Sequence, residues 1–560
     1  MSASDRPAIR RHSNRNQNAA ARVPAVTPAG RSVLACLLLS FVSATSARDL
    51  SGYWLGEIGS PREKVSIGLN LQADANGRYD MQLDLPIAHL RSLPLHGKAD
   101  LDDSNTLVHR NLHMALRMQG EELTGTLLGS GERLRLRRGE PGTLPSASSA
   151  ETSPQSLPGP RWKTHLGGQI FASPVIADGT AYVGTTAGSL FAVDLASGGL
   201  RWASAVGYPV YAAALVTDDA VFISSDGGYL HRLDRQTGQE QWRSSIQDAR
   251  SSREPPQPQS TAWEWQGPRP LLVNGQIHIG GNDGSIQALD MRTGASRWKR
   301  QLAGRIQHGL ASDGTQLFVV NEGGVVQALN ARTGTPLWQY RLAARPGAAP
   351  VVHRGRVFCN DRSGVLHAID ARTGNALWLT QFWTSWIESE PSFDGNTLYI
   401  GSSDLHKISA IDIISGRVLW RTDVGGWSWG TPQPLGDHLL IGMAAGHPYF
   451  LEHGAGIGIL DRRDGRLLAT HALPQGRGFQ WGIAGNLALQ ADVLVAADIE
   501  GVLMGFALDA MIQSSTANTA QASAAPSALH FLPQRIAATA TSTANATAAV
   551  STPAANNKDP

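Results

Sequence analysis

Five segments of the 560-residue chain concentrate side chains able to bind or react: TAWEWQGPRP, RIQHG, FWTSWIESEP, GGWSWGTP and GFQWGIAG. They contribute Glu264, Trp265, Arg305, His308, Trp386, Glu388, Glu390, Trp429, Gln480 and Trp481, with Trp263, Trp383 and Trp427 beside them. Tryptophan faces offer stacking area, and carboxylates, an amide and cations fix orientation, so the set suits a planar or sugar-like ligand. The same residues would also make a plug, with the tryptophans packed on one another and the acids solvated at a rim. Glu390 precedes Pro391 where the matching segments carry Ser173, Ala349 and Thr431. It is expected either to pair with Arg269 or Arg305 or to touch a ligand. Other chemistry has less to stand on. The sequence holds no G-x-S-x-G, no H-E-x-x-H and no phosphate loop. His231, His278 and His367 lie in strand-like stretches without metal-ligand spacing, and Asp226, Asp283 and Asp361 lie in turns. Structural roles are expected for all six, and no metal site.

What positions these segments is a repeat. Asp194, Gly198 and Trp202 recur as Asp234, Gly238, Trp242 and as Asp290, Gly294, Trp298. Asn330, Gly334, Trp338 follow, then Asp370, Gly374, Trp378 and Asp412, Gly416, Trp420. Asp461 and Gly465 fit, with Ala469 in the tryptophan's place. Three of the six steps are 40 residues and a fourth is 42, a period that belongs to solenoids, arrays and propellers. Stretches such as AYVGTTAGSLFAVD and VFCNDRSGVLHAID read as hairpins with a small glycine-containing turn. In the Asp-x-x-Thr/Ser-Gly that follows, the carboxylate bonds the backbone ahead and glycine takes the positive φ. Four strands per period make one propeller blade. Eight hairpins can be counted, and Trp162, one period before Trp202, supplies the strand missing from the last. Pairing that first strand with the last blade would close the ring and remove its exposed edges.

The Asp–Gly–Trp spacing resembles the tryptophan-docking repeat of PQQ-like β-propellers in the quinoprotein alcohol dehydrogenase-like superfamily. The chain is similar there to the outer-membrane assembly propeller lipoprotein, over about residues 161–510. The resemblance implies an all-β, eight-bladed propeller in which Trp162, Trp202, Trp242, Trp298, Trp338, Trp378 and Trp420 dock neighbouring blades. In that family the repeat is a packing device and does not itself imply a cofactor. For a quinoprotein, the resemblance would imply pyrroloquinoline quinone (PQQ) stacked on a tryptophan, held through calcium and basic residues, with an aspartate as base. Glu264, Glu388 and Glu390 could then donate to calcium. The adjacent cysteine pair of many such alcohol dehydrogenases is absent, as is a haem-attachment CxxCH.

The flanks complete the layout. Residues 1–47 hold six arginines, one aspartate and the apolar run VLACLLLSFV, and read as a signal peptide. Most of that apolar segment follows Cys36, so ordinary cleavage is expected over lipoprotein anchoring. Loss of this segment takes the formal charge from +2 to −3, which leaves no basic footprint for nucleic acid. Cys359 is then the only cysteine, so no internal disulfide can form. Residues 48–139 alternate as short strands separated by turns, a small antiparallel β-barrel or sandwich. Residues 140–160 read as a flexible linker, 161–512 as the propeller, and 513–560 as a disordered Ala/Thr/Ser-rich tail. The expected function is non-catalytic: an exported propeller, periplasmic or in the cell envelope, that binds a partner protein or envelope ligand in a scaffold or assembly role. No cofactor, nucleic acid or transmembrane helix is expected in the mature chain. The alternative is a divergent PQQ-dependent dehydrogenase oxidising an alcohol or sugar, with PQQ and calcium as cofactors.

Overall fold

The computed structural model describes residues 49–60, 63–85, 90–95, 98–102, 104–109, 114–126, 133–142, 144, 154–248, 265–382, 385–446 and 453–516. The signal segment, Glu264, Trp263, Trp383 and the tail beyond Thr516 lie outside these residues.

The N-terminal region is one nine-stranded antiparallel sheet running from Gly52–Ser60 to Arg133–Arg138. The first strand pairs with the last, and Tyr79 exchanges backbone hydrogen bonds of 2.8 and 2.9 Å with Ala99. The sheet thereby curls into a nearly closed barrel. Period-two alternation fills its interior: Ile67, Leu69 and Leu71 on one strand, Leu134 and Leu136 on another, and Trp54 on the first are all buried. One member of this core comes from far along the chain. Leu405, in a turn of the propeller, is buried among the barrel's leucines.

Eight antiparallel sheets follow. Seven blades begin at Val175, Leu215, Leu271, Ala311, Val351, Ser392 and Gln433. The eighth joins Ala488–Gln490, Val493–Asp498 and Val502–Ala507 to Trp162–His165, with Trp162 opposite Gly505. The first strand of the propeller thus closes the ring on the last blade.

Blade 5 shows what the repeat does. Asp370 Oδ1 accepts the N–H groups of Arg372 and Thr373 at 3.1 and 2.8 Å and the Thr373 hydroxyl at 2.9 Å. This pins the turn so that Gly374 takes φ 75°. Trp338 of blade 4 lies across that turn, with its indole N–H 2.9 Å from the Ala371 carbonyl. A Cβ on Gly374 would sit 2.7 Å from the indole. Glycine is therefore required twice, for the backbone and for the neighbour's ring. The docking tryptophans Trp162, Trp202, Trp242, Trp378 and Trp420 likewise donate to turn carbonyls of the next blade, at 2.9–3.1 Å. Trp298 packs on Gly334 in the same way.

Two expectations need correction at the seam between blades 7 and 8. There Ala469 leaves the space a tryptophan would fill. Gln155–Ser156, expected as linker, adds a parallel fifth strand to blade 7 opposite Ala469 and Thr470. Helix Leu508–Thr516 continues past residue 513, where disorder was expected. Leu157, Leu508 and Met511 are buried in one cluster with Ala469. The missing indole makes this apolar contact available, which favours ordering segments that look like linker and tail.

Candidate functional site

In each blade the segment leading into the innermost strand and the turn between the second and third strands lie on one face of the ring. Side chains from both sets meet at the channel mouth. Trp265, expected either as a stacking platform or as part of a plug, is buried. It stacks on Phe171 with centroids 6.2 Å apart and on Trp429 at 5.1 Å. Trp429 stacks on Trp427 at 4.9 Å, and Trp427 on His453 at 4.4 Å. Tyr211 extends the other end, 5.9 Å from Phe171. Trp427 and Trp429 are 1 % and 4 % exposed, so the ladder fills the axis as a plug. Phe171 and Tyr211 come from FASP and YAAA, the plainest of the entry segments. Nothing in their own composition marks them, because their role arises only when the ring closes.

The ionic groups form a second layer. Glu390 pairs with Arg269 at 3.1 Å, which settles the choice of cation at the position before Pro391. Glu388 lies 3.0 Å from the Arg362 guanidinium. Its Oε1 makes no hydrogen bond of acceptable geometry, so the contact is an ion pair without alignment. Burial therefore dominates and pushes the Glu388 carboxyl up to about 7, against the opposing charge of Arg362. The Arg362 guanidinium also lies over the Trp386 ring at 4.7 Å, and the Trp386 backbone N–H donates to Asp404 at 3.1 Å. Glu322 meets Arg345 at 2.6 Å and His308 Nε2 at 3.4 Å. Burial works against its charge, but the His308 hydrogen bond and the nearby arginines hold its carboxyl below the usual range. Gln266 contacts His308 Nδ1 and donates to the Gly347 carbonyl at 3.0 Å.

Between the two layers is a cavity of about 70 Å³. Its aromatic wall is Phe171, Tyr211, Trp265 and Trp429, and its polar wall includes Gln266, Arg269, Glu388, Glu390 and Asn486. The Trp265 indole N–H is buried without an acceptor among the described residues.

Not every expected residue converges here. Arg305 is exposed and off the cavity wall. Gln480 and Trp481 sit on a short strand paired with Ala444–Gly446, and Trp481 packs on Ala445 and Ala455. Glu264 lies outside the described residues. Glu322, Arg362 and Asp404 were missed because they occupy glycine- or serine-rich hairpin turns. Considering both loop sets on one face of the meander would have found them.

His231, His278, Asp361 and His367, all expected to be structural, have partners within the propeller's own strands and turns. His231 bonds Ser225 and Glu240, and His278 bonds the Ala331 carbonyl. Asp361 accepts from Ser363 and two backbone N–H groups and pairs with His367 at 3.2 Å. Burial pushes the Cys359 thiol far up, so it is an inert core residue. Among the described residues no cluster has the makings of a metal site, and no helix is long and apolar enough to cross a membrane.

The family model described as outer membrane protein assembly factor BamB, of the PQQ-like repeat class, matches residues 147–263, 282–385 and 362–468, more than half of the chain. The chain belongs to this BamB-like PQQ-repeat family. The matched stretches cover strand Trp162–His165 of blade 8 but stop short of its three C-terminal strands, after which no docking glycine follows. Among solved structures, BamB from Moraxella catarrhalis is similar at 18 % identity and TM-score 0.48, covering 62 % of this chain and 96 % of that one. The computationally designed Ika8 protein gives 17 % and 0.49, covering 63 % and 99 %. Quinohemoprotein alcohol dehydrogenase from Comamonas testosteroni gives 13 % and 0.48, covering 63 % and 77 %. No curated protein sequence matches.

Proposed function

We propose that this chain is an exported, non-catalytic propeller that binds a partner protein or an envelope ligand at its channel mouth, in a scaffold or assembly role. The observation that carries this reading is the state of the mouth. The aromatic ladder is stacked on itself, and Glu322, Glu388 and Glu390 each face an arginine. The cavity between the layers measures about 70 Å³ among the described residues, against the ~300–1,000 Å³ of pockets that bury a small organic ligand. PQQ with calcium does not fit the described residues: the candidate donor Glu390 is committed to Arg269, burial raises the Glu388 carboxyl to about 7, and the tryptophan faces are occupied.

The rim offers recognition surface instead. Tyr208 and Phe479 are 48 % and 37 % exposed, and Arg305 stands free of the plug. Aromatic and arginine side chains of this kind tend to dominate binding energy at protein interfaces. The family's description as an outer-membrane assembly factor favours an envelope location, as does the signal-like segment 1–47.

A photo-crosslinking side chain placed at Tyr208 or Arg305 tests this in cells. The expected result is a discrete envelope-protein adduct that is missing when the crosslinker replaces Leu200, near the opposite face. Equal labelling from both faces would contradict it.

A further inference from the structure

Each blade presents its outermost strand to solvent as a row of unpaired backbone groups, which natural sheets guard with charge or proline. Six of the eight outer strands here are guarded. Trp162–His165 carries Lys163, Leu200–Ala205 carries Arg201, and Glu240–Ser245 carries Glu240 and Arg243. Ser296–Gln301 carries three cations, Pro336–Arg341 a proline and an arginine, and Val418–Asp423 an arginine and an aspartate. Two have neither charge nor proline: Leu467–Leu473 of blade 7 and Ala376–Gln381 of blade 5. The first is covered, because Gln155–Ser156 pairs along it. The second is the edge of a four-stranded sheet with no further strand beside it among the described residues.

We infer that the edge Ala376–Gln381 pairs with the same strand of a second copy of this chain, antiparallel across a two-fold axis. Symmetry favours this occupant. In an isologous contact a residue near the axis faces its own copy, so a strand with a charge at the axis meets like charge there, which is destabilising. Ala376–Gln381, with the sequence ALWLTQ, avoids that conflict. Leu377 is 40 % exposed and Leu379 half-buried, so two apolar side chains are available to meet their mates across the axis. Trp378 and Thr380 point the other way, into blade 6, where they bond Ile413 and Gly416. One end of the edge is already closed, since Arg421 donates to the Gln381 carbonyl at 2.7 Å. The ladder therefore runs over Ala376–Thr380.

The test is the oligomeric state of the full mature chain by light scattering across the micromolar range, with hydrogen exchange read at Trp378–Thr380. The expected result is a dimer whose mass falls twofold in Leu379→Lys and in Leu377→Lys, with unchanged melting temperature and faster exchange at those amides. Leu337→Lys, on the proline-guarded strand of blade 4 where Leu337 is 51 % exposed, should leave the dimer intact. A wild-type monomer at all concentrations overturns the inference, as does a dimer that survives both lysine variants. A monomer whose edge amides lose protection only on truncation at Thr516 overturns it too, and makes the chain's own tail the occupant.

Discussion

His278 holds the acceptor that Trp298 would use. Its Nε2 lies 3.0 Å from the Ala331 carbonyl, and the Trp298 indole N–H is left without a partner among the described residues. At the next seam Trp338 keeps its bond to Ala371 at 2.9 Å. Both tryptophans are half-buried, so phenylalanine replacements separate the hydrogen bond from the apolar contact.

Trp338→Phe should lose the packing difference and a hydrogen bond, and Trp298→Phe should relieve an unsatisfied donor. Trp338→Phe is therefore expected to be the more destabilising by about 1–2 kcal/mol. Denaturant midpoints of the two variants check it; equal losses would remove the energetic role assigned to the Ala371 bond.

At the seam of blades 7 and 8, Met511 and Leu157 occupy the space beside Ala469. A chain ending at Ala507 should be less stable than one ending at Thr516 by a few kcal/mol, the scale of losing large buried side chains. Thermal unfolding of the two truncations decides it.

Leu405 belongs to the barrel core although it sits in a turn of blade 6. Leu405→Asp buries a charge in that core and should speed hydrogen exchange at Ile67, Leu69 and Leu71 far more than in blades 1 and 2. Uniform slow exchange in the variant would show that Leu405 does not tie the barrel to the ring.

Glu388 carries the pH signature. Its carboxyl is raised from 4.5 to about 7 in the folded chain, so the folded state holds the proton more tightly than the unfolded state. That stabilisation is complete below about pH 4.5 and is lost as the pH rises through about 7. Glu388→Gln mimics the protonated form and fixes it. Apart from a constant offset from the altered Arg362 contact, stability of the variant relative to wild type should grow between about pH 5 and 8, by up to the order of 3 kcal/mol. A difference that stays flat over this range would contradict the account of Glu388.

Much of this was legible in the sequence. The Asp–Gly–Trp spacing announced the blades, and Trp162 one period early announced ring closure, because both are local rules of turn chemistry and side-chain docking. The mouth was only half legible. Glu388, Glu390, Trp265 and Trp429 stood out by type, but Phe171 and Tyr211 look ordinary until eight segments share one axis. Arg362, Asp404 and Glu322 were hidden in turns whose glycine and serine content already explained them. The strand at Gln155 and the helix at Leu508 were illegible because their order comes from the missing indole at Ala469, and not from their own propensity.

We propose that the mouth is a filled plug with a recognition rim and not a cofactor pocket. Calorimetric titration of the mature protein with PQQ in the presence of calcium, followed by assay with a redox dye, tests it most directly. The account predicts no saturable heat and no dye reduction with alcohols or sugars. Micromolar or tighter PQQ binding with substrate-dependent dye reduction would contradict it and make the chain an oxidoreductase.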